Sequence, residues 1–145
     1  MSDRSFVHTM RVRYHETDPQ EFLFNSRYLE YADVAMAEFF RNLGWPYPVM
    51  LREGFDPSVV TSTLAFRRPA RLDDLVDVHV RCSRVGTSSF VLDFEMLVSQ
   101  EVICGVESVY VNVDPQKAAS RPIPSRIADS LRAARALEPI PGGEQ

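Results

Sequence analysis

The sequence predicts an α+β domain in which one antiparallel sheet of five strands packs against a single long helix. Five segments alternate apolar and polar side chains with a period of two, as strands with one buried face do. Only one long segment repeats its apolar residues at steps of three and four, as an amphipathic helix does. That helix follows the first predicted strand. Short turns join the remaining four strands to one another, and strands joined by short turns pair antiparallel.

The predicted strands cover residues 6–14, 59–68, 75–84, 89–99 and 102–113. In the first, Tyr14 shares the face of Phe6 and is expected to point the same way. In the second, Val60 shares a face with Phe66, and Pro69 ends the strand because proline lacks the N–H that a sheet requires. The last strand is apolar on both faces, which indicates a central position in the sheet or a second buried interface.

The predicted long helix covers residues 26–43. Asn25 and Ser26 are both good N-cap residues, and Gly44 is placed to end the helix. A shorter helix is predicted over residues 125–136. A single sheet leaves two edges and a second face uncovered, so we expect pairing with further copies of the chain, as a dimer or a homotetramer.

The 145 residues are enough for one domain, which we expect over residues 1–136, followed by a disordered tail over residues 137–145. The net charge of −4 is spread along the chain, and no stretch collects Lys and Arg as a nucleic-acid groove requires. The start lacks an apolar signal core, and no segment approaches the ~20 apolar residues of a membrane helix. We therefore expect a cytoplasmic protein that binds neither nucleic acid nor membranes.

The two cysteines, Cys82 and Cys104, fall in alternating apolar runs and not in a CxxC pair. Cysteine is among the most often buried residue types. We expect two buried free thiols, and neither a metal site nor a redox cofactor.

Asp18 and Pro19 lie a few residues before the long helix. Taken alone, they initiate a turn, because Asp bonds to its own following backbone and Pro fixes φ. The chemical alternative is that Asp18 faces the unpaired N–H groups at the helix start, where a partial charge of about +0.5 can hold a carbonyl oxygen. No hydroxyl or thiol nucleophile, and no acid for an amine leaving group, accompanies it. Such a site favours an activated ester or thioester over an amide.

Three stretches carry a resemblance to a known family, RYHETDPQEFLFNSRYLEYADVAMAEFF, RRPARLDDLVDV and VGTSSFVL. Together they resemble the hotdog-fold acyl-CoA thioesterases of the 4-hydroxybenzoyl-CoA thioesterase family, over about residues 6–113. The resemblance implies a sheet wrapped around the long helix and hydrolysis of an acyl-CoA thioester without a cofactor. It assigns Asp18 as nucleophile or general base and the backbone amide of Asn25 as the group that polarises the thioester carbonyl.

The resemblance also implies where coenzyme A would bind. Arg67 or Arg68 would meet its phosphates at the sheet edge, with Arg71 a weaker candidate. Ser88 and Ser89 would bond to the nucleotide. Without the resemblance, these residues only form a charged turn and a strand start.

Aromatic residues beside the helix start are candidates for the acyl pocket, although most such residues are simple packing. Tyr28 is the one we assign to substrate binding, and the others are Phe22, Phe24, Trp45 and Tyr47. These aromatic side chains favour a substrate with an aryl or medium-chain acyl group.

One departure concerns Glu21, which stands where the family has a glycine three residues after the Asp. Glutamate tolerates glycine-like backbone geometry poorly, which leaves open a loop of different shape. Glu21 is also a weak candidate for a second carboxylate near the thioester, against the simpler interpretation of a solvent-facing residue. His15, three residues before Asp18, is a similarly weak candidate for a residue that approaches the site.

Two other functions stay open at this point. One is a thioesterase that acts on acyl carrier protein, and the other is a hotdog protein that binds acyl-CoA without turning it over. A hotdog dehydratase is disfavoured, because its histidine would stand five residues after Asp18, where this chain has Leu23.

Overall fold

The strands and helices of the computed structural model, which describes residues 6–135, follow the predicted order. The strands are β1 (Phe6–Arg11), β2 (Pro57–Phe66), β3 (Leu75–Val85), β4 (Ser89–Val98), β5 (Glu101–Asp114) and the two-residue β6 (Ala119–Ser120). The helices are α1 (Arg27–Asn42), α2 (Tyr47–Arg52) and α3 (Ser125–Arg135).

The sheet runs in the order β1-β3-β4-β5-β2, with every pair antiparallel and β6 attached to the end of β5. A row of paired residues crosses its centre, in which Val80, Phe94, Val106 and Leu64 are successive partners. Side chains in such a row share one face, and the first three are buried. The predicted interior position of the last long strand is confirmed, since β5 lies between β4 and β2.

Helix α1 packs across β1 and β3 on the inner face of the sheet. Its buried side chains recur at helical spacing and are Tyr28, Tyr31, Ala32, Ala35, Phe39 and Phe40. Each large side chain of this set stabilises the fold by about 1.5–3 kcal/mol on burial. Ser26 is the N-cap, and Gly44 follows the helix with φ +96°, a conformation that glycine adopts without strain. The predicted limits of α1 are confirmed to within one residue.

The predicted first strand is too long. β1 ends at Arg11, and a 3-10 turn over Tyr14–Glu16 follows. The backbone of Val12 leaves the sheet to bond with the turn after residue 72, donating to Asp74 O at 2.8 Å and accepting from Asp73 N at 3.0 Å. Tyr14 is consequently 81% exposed, and its predicted position on the buried face is wrong.

The predicted phase of the second strand is also wrong at one end. The pairing of β2 with β5 shifts between Val59 and Thr61. An extra residue at a bulge reverses the alternation on one side of it. Val60 at the bulge is 58% exposed and its neighbour Val59 is 51% exposed, so this end of the edge strand buries neither phase of the alternation.

The second predicted helix is confirmed over Ser125–Arg135, while its last predicted residue and the predicted tail lie outside the described residues. Trp45 ties this helix to the end of α1, because its Nε1–H donates to Ser130 Oγ at 3.0 Å and Arg126 lies over its ring. Helix α2 was not predicted, because a helix of six residues is too short to show periodicity. Within residues 6–135, no helix is both long and apolar enough to cross a bilayer.

Both cysteines are buried free thiols, as predicted. Burial raises the pKa of Cys82 and of Cys104 to about 11 each.

Candidate active site

The loop that carries Asp18 is a tight turn closed by its own backbone. Asp18 N donates to Phe22 O at 2.9 Å, and Glu21 N donates to Asp18 O at 2.8 Å. Pro19 follows Asp18 directly, where its fixed φ favours a turn. Thr17 pairs with Leu23 on either side of the turn, so the loop leaves and returns as a short antiparallel ladder.

The carboxylate of Asp18 is held by one of its two oxygens. Oδ1 accepts from Gln20 N at 2.8 Å and from Phe22 N at 3.1 Å. Two backbone donors on one oxygen fix the direction of the carboxylate. Oδ2 accepts no hydrogen bond from any residue in the described range, so it is free to meet a reactant.

Glu21 has φ +64°, in the left-handed region that glycine adopts most readily. The loop therefore keeps its glycine-like shape, at a conformational cost of about 1–2 kcal/mol for a residue with a Cβ. Its carbonyl accepts from Leu72 N at 3.1 Å, which holds the backbone in place. The side chain is exposed and lies outside the lining of the cavity described below.

A second segment, residues 69–74, clamps the Asp18 loop from the side. Leu23 N donates to Ala70 O at 2.8 Å, and Phe22 pairs with Arg71 in an antiparallel bridge. The Arg71 guanidinium lies over the Phe22 ring, 4.8 Å from its centroid. The sequence RRPARLDD thus supports the loop as well as ending β2.

The start of α1 leaves backbone donors unused. Its first turn is of the 3-10 type, in which Arg27 N bonds to Phe24 O and Tyr28 N to Asn25 O. The amides of Asn25 and Ser26 precede this turn, and neither donates to another group within the described part of the chain. They lie at the positive end of the helix dipole, where an oxygen with negative charge is stabilised.

A cavity of about 430 Å³ joins the loop to the helix start. Its lining residues are Asp18, Gln20, Phe22, Leu23, Asn25, Tyr28, Phe66, Arg67, Arg68 and Pro69. The structure therefore brings together five of the predicted site residues, Asp18, Asn25, Tyr28, Arg67 and Arg68.

Tyr28 forms a buried wall of this cavity. Its hydroxyl accepts from Ala70 N at 3.2 Å, and its ring meets Phe66 edge-on with centroids 5.1 Å apart. Burial raises the pKa of the phenol; the Ala70 hydrogen bond opposes that effect and the charge of Asp18 adds to it. The phenol therefore keeps its proton to a higher pH than a free tyrosine does.

The two arginines of the cavity differ in their partners. Arg68 Nη1 donates to Glu101 Oε1 at 2.6 Å, so its charge is already paired. The exposed side chain of Arg67 has neither an ion pair nor a hydrogen bond among residues 6–135, and only its backbone N donates, to Ile103 O at 2.8 Å. Arg67 is thus the cation of this pair that is available to an anionic ligand.

Ser88 and Ser89 lie at the opposite end of the sheet. Ser89 pairs with Val111 on β5, whereas Phe66, beside the cavity, pairs with Cys104. Those two β5 residues are seven steps apart, a distance of about 23 Å at ~3.3 Å per residue. A single chain therefore does not bring these serines to Asp18.

Of the remaining candidates, His15 is exposed on the 3-10 turn, outside the cavity lining. Among the rings, Phe22 lines the cavity as expected, but Phe24 does not. Trp45 packs on α3, and the Tyr47 hydroxyl donates to Asp56 Oδ1 at 3.1 Å. Sequence reasoning missed Phe66, although its position directly before Arg67 was a usable signal.

The antiparallel sheet curled around α1, with its cavity at the helix start, defines a hotdog-fold protein. Residues 12–131 match the Thioesterase-like superfamily, and the chain belongs to that family. The predicted fold and the predicted membership of a thioesterase family are therefore confirmed.

Individual relatives span almost the whole chain. Acyl-CoA thioester hydrolase YbgC of Escherichia coli O6:H1 is 24% identical over 133 residues, 91% of this chain and 99% of that protein. The crystal structure of a protein from Thermus thermophilus superposes with a TM-score of 0.83 at 25% identity, over 90% of this chain and 99% of that one. BH1999, a gentisyl-coenzyme A thioesterase, superposes with a TM-score of 0.78 at 25% identity, over 84% of this chain and 98% of that one.

Proposed function

We propose that this protein is an acyl-CoA thioesterase in which Asp18 and the backbone amide of Asn25 act on the thioester. The observation that carries the proposal is that one cavity is lined both by Asp18, whose Oδ2 accepts no hydrogen bond from residues 6–135, and by Asn25 at the helix start, whose backbone amide donates none to those residues. Family membership and the activity of the Escherichia coli relative support the same reaction.

Two versions of the chemistry fit this arrangement. In the first, Asp18 Oδ2 attacks the thioester carbon, the C–S bond breaks, the thiolate of coenzyme A leaves, and water then hydrolyses the anhydride. In the second, Asp18 takes a proton from a water molecule as the water attacks the same carbon. In both, the Asn25 amide holds the carbonyl oxygen as it gains charge, an interaction worth about 3 kcal/mol in comparable sites.

The walls of the cavity favour an aryl or medium-chain acyl group. Phe22, Tyr28 and Phe66 supply three rings, and a flat aryl group gains stacking and burial against such walls. The gentisyl-coenzyme A thioesterase relative supports an aryl substrate. At the mouth, Arg67 is the candidate for a phosphate of coenzyme A, because the charge of Arg68 is paired with Glu101.

We also propose that two copies pair along β2. This strand is an edge of the sheet, and its exposed side chains include Val59, Val60 and Phe66. Unpaired edges with apolar side chains favour pairing with another strand. Antiparallel pairing of β2 with its counterpart would bring the start of the second copy's β2 next to Phe66, and with it that copy's Ser88 and Ser89.

The deciding experiment is hydrolysis of a panel of acyl-CoA and aroyl-CoA thioesters, measured by free-thiol release, with Asp18→Asn as the variant. An amide oxygen at position 18 can still accept from Gln20 N and Phe22 N, so the loop is kept while the carboxylate is removed. We expect kcat/KM to fall by about 10²–10⁴-fold, the usual contribution of a proton-transfer group.

Glu21→Gln is the matched control, since it removes a carboxylate from the same loop outside the cavity lining, and it should retain wild-type activity. Equal activity of Asp18→Asn and wild type would contradict the proposal. Labelled water oxygen recovered in Asp18 after a single turnover would identify the nucleophilic version, with water attacking the Asp18 carbonyl of the anhydride. An unlabelled Asp18 would leave the general base, or an anhydride that water opens at its acyl carbonyl.

The same assay separates the two rival functions. A protein that binds acyl-CoA without hydrolysing it would release no thiol above background in either wild type or Asp18→Asn. A thioesterase for acyl carrier protein would hydrolyse the thioester of that carrier protein with a higher kcat/KM than the coenzyme A thioester of the same acyl group.

A further inference from the structure

We infer that Arg71 is a positioning residue that sets the orientation of Asp18 through the ring of Phe22. The inference rests on the proposed function, because it concerns the same carboxylate. It gives Arg71 a different task from the phosphate contact that the sequence suggested.

The chain of contacts from Arg71 to Asp18 has two steps. The guanidinium lies 4.8 Å from the centroid of the Phe22 ring, within the range of an attractive cation–π contact. The backbone N–H of that same Phe22 donates to Asp18 Oδ1 at 3.1 Å. A residue fixed at both its ring and its backbone can thus transmit the position of Arg71 to the carboxylate.

The backbone of Arg71 is itself anchored. Its N–H donates to Asp74 Oδ2 at 2.8 Å, and Arg71 pairs with Phe22 as a β-bridge. Its guanidinium forms no ion pair with any carboxylate of residues 6–135 and lies against the Phe22 ring. The side chain of Arg71 therefore contacts the Phe22 ring, while the backbone bonds of its neighbours Ala70 and Leu72 hold the residues on either side of Phe22.

The three arginines near the cavity have different environments. Arg67 lines the cavity and forms no ion pair within residues 6–135, whereas Arg68 lines it with its charge paired to Glu101. Arg71 is exposed but does not line the cavity, and it reaches that space only through Phe22. Its position fits support of the loop better than contact with a ligand.

The test compares one acyl group on two thiols, coenzyme A and pantetheine, which lacks the phosphates of the nucleotide. Arg71→Ala should lower kcat for both thioesters by the same factor, roughly 10-fold, with KM little changed, since small displacements of reacting groups cost up to ~10²-fold. Arg67→Ala is the matched control and should raise KM for the coenzyme A thioester only. A loss at Arg71→Ala confined to the coenzyme A thioester would assign it to phosphate binding and overturn the inference.

Two further variants separate positioning from general damage. Arg71→Lys keeps a cation that can lie over the ring and should recover part of kcat, whereas Arg71→Met keeps apolar packing without charge and should not. In the Phe22→Leu background, Arg71→Ala should have little further effect, because its route to Asp18 is already removed. An undiminished effect in that background would contradict the two-step contact.

Amide hydrogen exchange provides a measurement that requires no turnover. Arg71→Met should speed exchange of the Phe22 amide while leaving the amide of Val80 in interior strand β3 unchanged. Wild type without thioesterase activity would refute the proposed function, yet the exchange result would still decide whether Arg71 orders the loop. An unchanged Phe22 amide would overturn the inference even in an active enzyme.

Discussion

Two regions of this molecule use a short polar side chain to hold backbone groups, and they differ in what they leave unbonded. At the Asn112 junction, formed by Asn112, Gly54, Asp56, Arg121 and Pro122, the side chain is fully buried and neutral. Its Oδ1 accepts from Asp56 N at 2.8 Å and Arg121 Nε at 3.4 Å, and its Nδ2 donates to Gly54 O and Pro122 O at 3.0 Å each. In the Asp18 loop, Oδ1 is the one carboxylate oxygen that accepts hydrogen bonds from the described residues, and the side chain is half-buried beside a cavity.

The difference separates a structural role from a chemical one. A buried amide whose oxygen and nitrogen are both bonded joins chain segments and offers nothing to a ligand. A carboxylate with one oxygen fixed and the other unbonded is oriented and still able to react. Similar backbone contacts therefore lead to opposite expectations for stability and activity.

The largest effect on stability is expected from Asn112→Ala. It would remove three part-buried hydrogen bonds, from Asp56 N and to Gly54 O and Pro122 O, at a cost of about 1 kcal/mol each and about 3 kcal/mol in the free energy of unfolding. Chemical denaturation would measure the loss, and activity per folded molecule should be unchanged. Asp18→Asn should show the reverse, with stability near wild type and activity lost. Equal destabilisation by both variants would remove the distinction between the two regions.

Much of this could be predicted from the sequence, because it depended on local rules. The helix limits followed from cap residues and periodicity, and the proximity of Asp18 to the helix start followed from their short separation in sequence. The exposure of Val60 could not be predicted, since both the bulge in β2 and the position of that strand at the sheet edge depend on its pairing with β5. The placement of Ser88 far from Asp18 depends on strand register, which one sequence does not reveal.

The role of residues 69–74 was missed for a similar reason. Read locally, the segment is a proline, a basic residue and an acidic turn, which suggested a strand end and a phosphate contact. Its contacts with Phe22 and Leu23 are made across the fold, with residues about 50 positions earlier in the chain. Only the folded arrangement identifies it as the support of the Asp18 loop.

Tyr28 sharpens the comparison, because it is both a structural acceptor and a cavity wall. Tyr28→Phe would leave the N–H of fully buried Ala70 unsatisfied, at a cost of about 1–3 kcal/mol.

The contribution of Tyr28 to stability should depend on pH. The phenol has a raised pKa in the folded chain, chiefly through burial, so above pH ~10 the unfolded chain loses this proton while the folded chain keeps it. Its contribution to stability is complete below that pH and is lost as pH rises towards the folded-state pKa.

Denaturation of wild type and Tyr28→Phe between pH 8 and pH 11 would measure this contribution. Stability of the variant should fall less steeply above pH ~10, because one shifted phenol is missing. Tyr31 and Tyr110 also have raised pKa values, mainly from burial, so part of the slope should persist in the variant. Parallel curves for the two proteins would show that Tyr28 stays protonated to a similar extent in both states.

The smallest effect is expected at Glu21, where two glycine effects oppose each other. Glu21→Gly relieves about 1–2 kcal/mol of left-handed strain and loses about 0.5–1 kcal/mol through the greater freedom of glycine in the unfolded chain. We expect a net gain of roughly 0.5 kcal/mol, measured by chemical denaturation, with kcat retained because the side chain lies outside the cavity lining. Gln20→Gly is the matched control, since Gln20 is not among the positive-φ residues of the described chain and the variant should lose stability.

A kcat at Glu21→Gly more than ~10-fold below wild type would restore Glu21 as a second functional carboxylate. The stability of Glu21→Gly would then show whether the loop is strained at the position of that carboxylate. The Asn112 junction, whose polar atoms are all bonded, has no such conflict between stability and function.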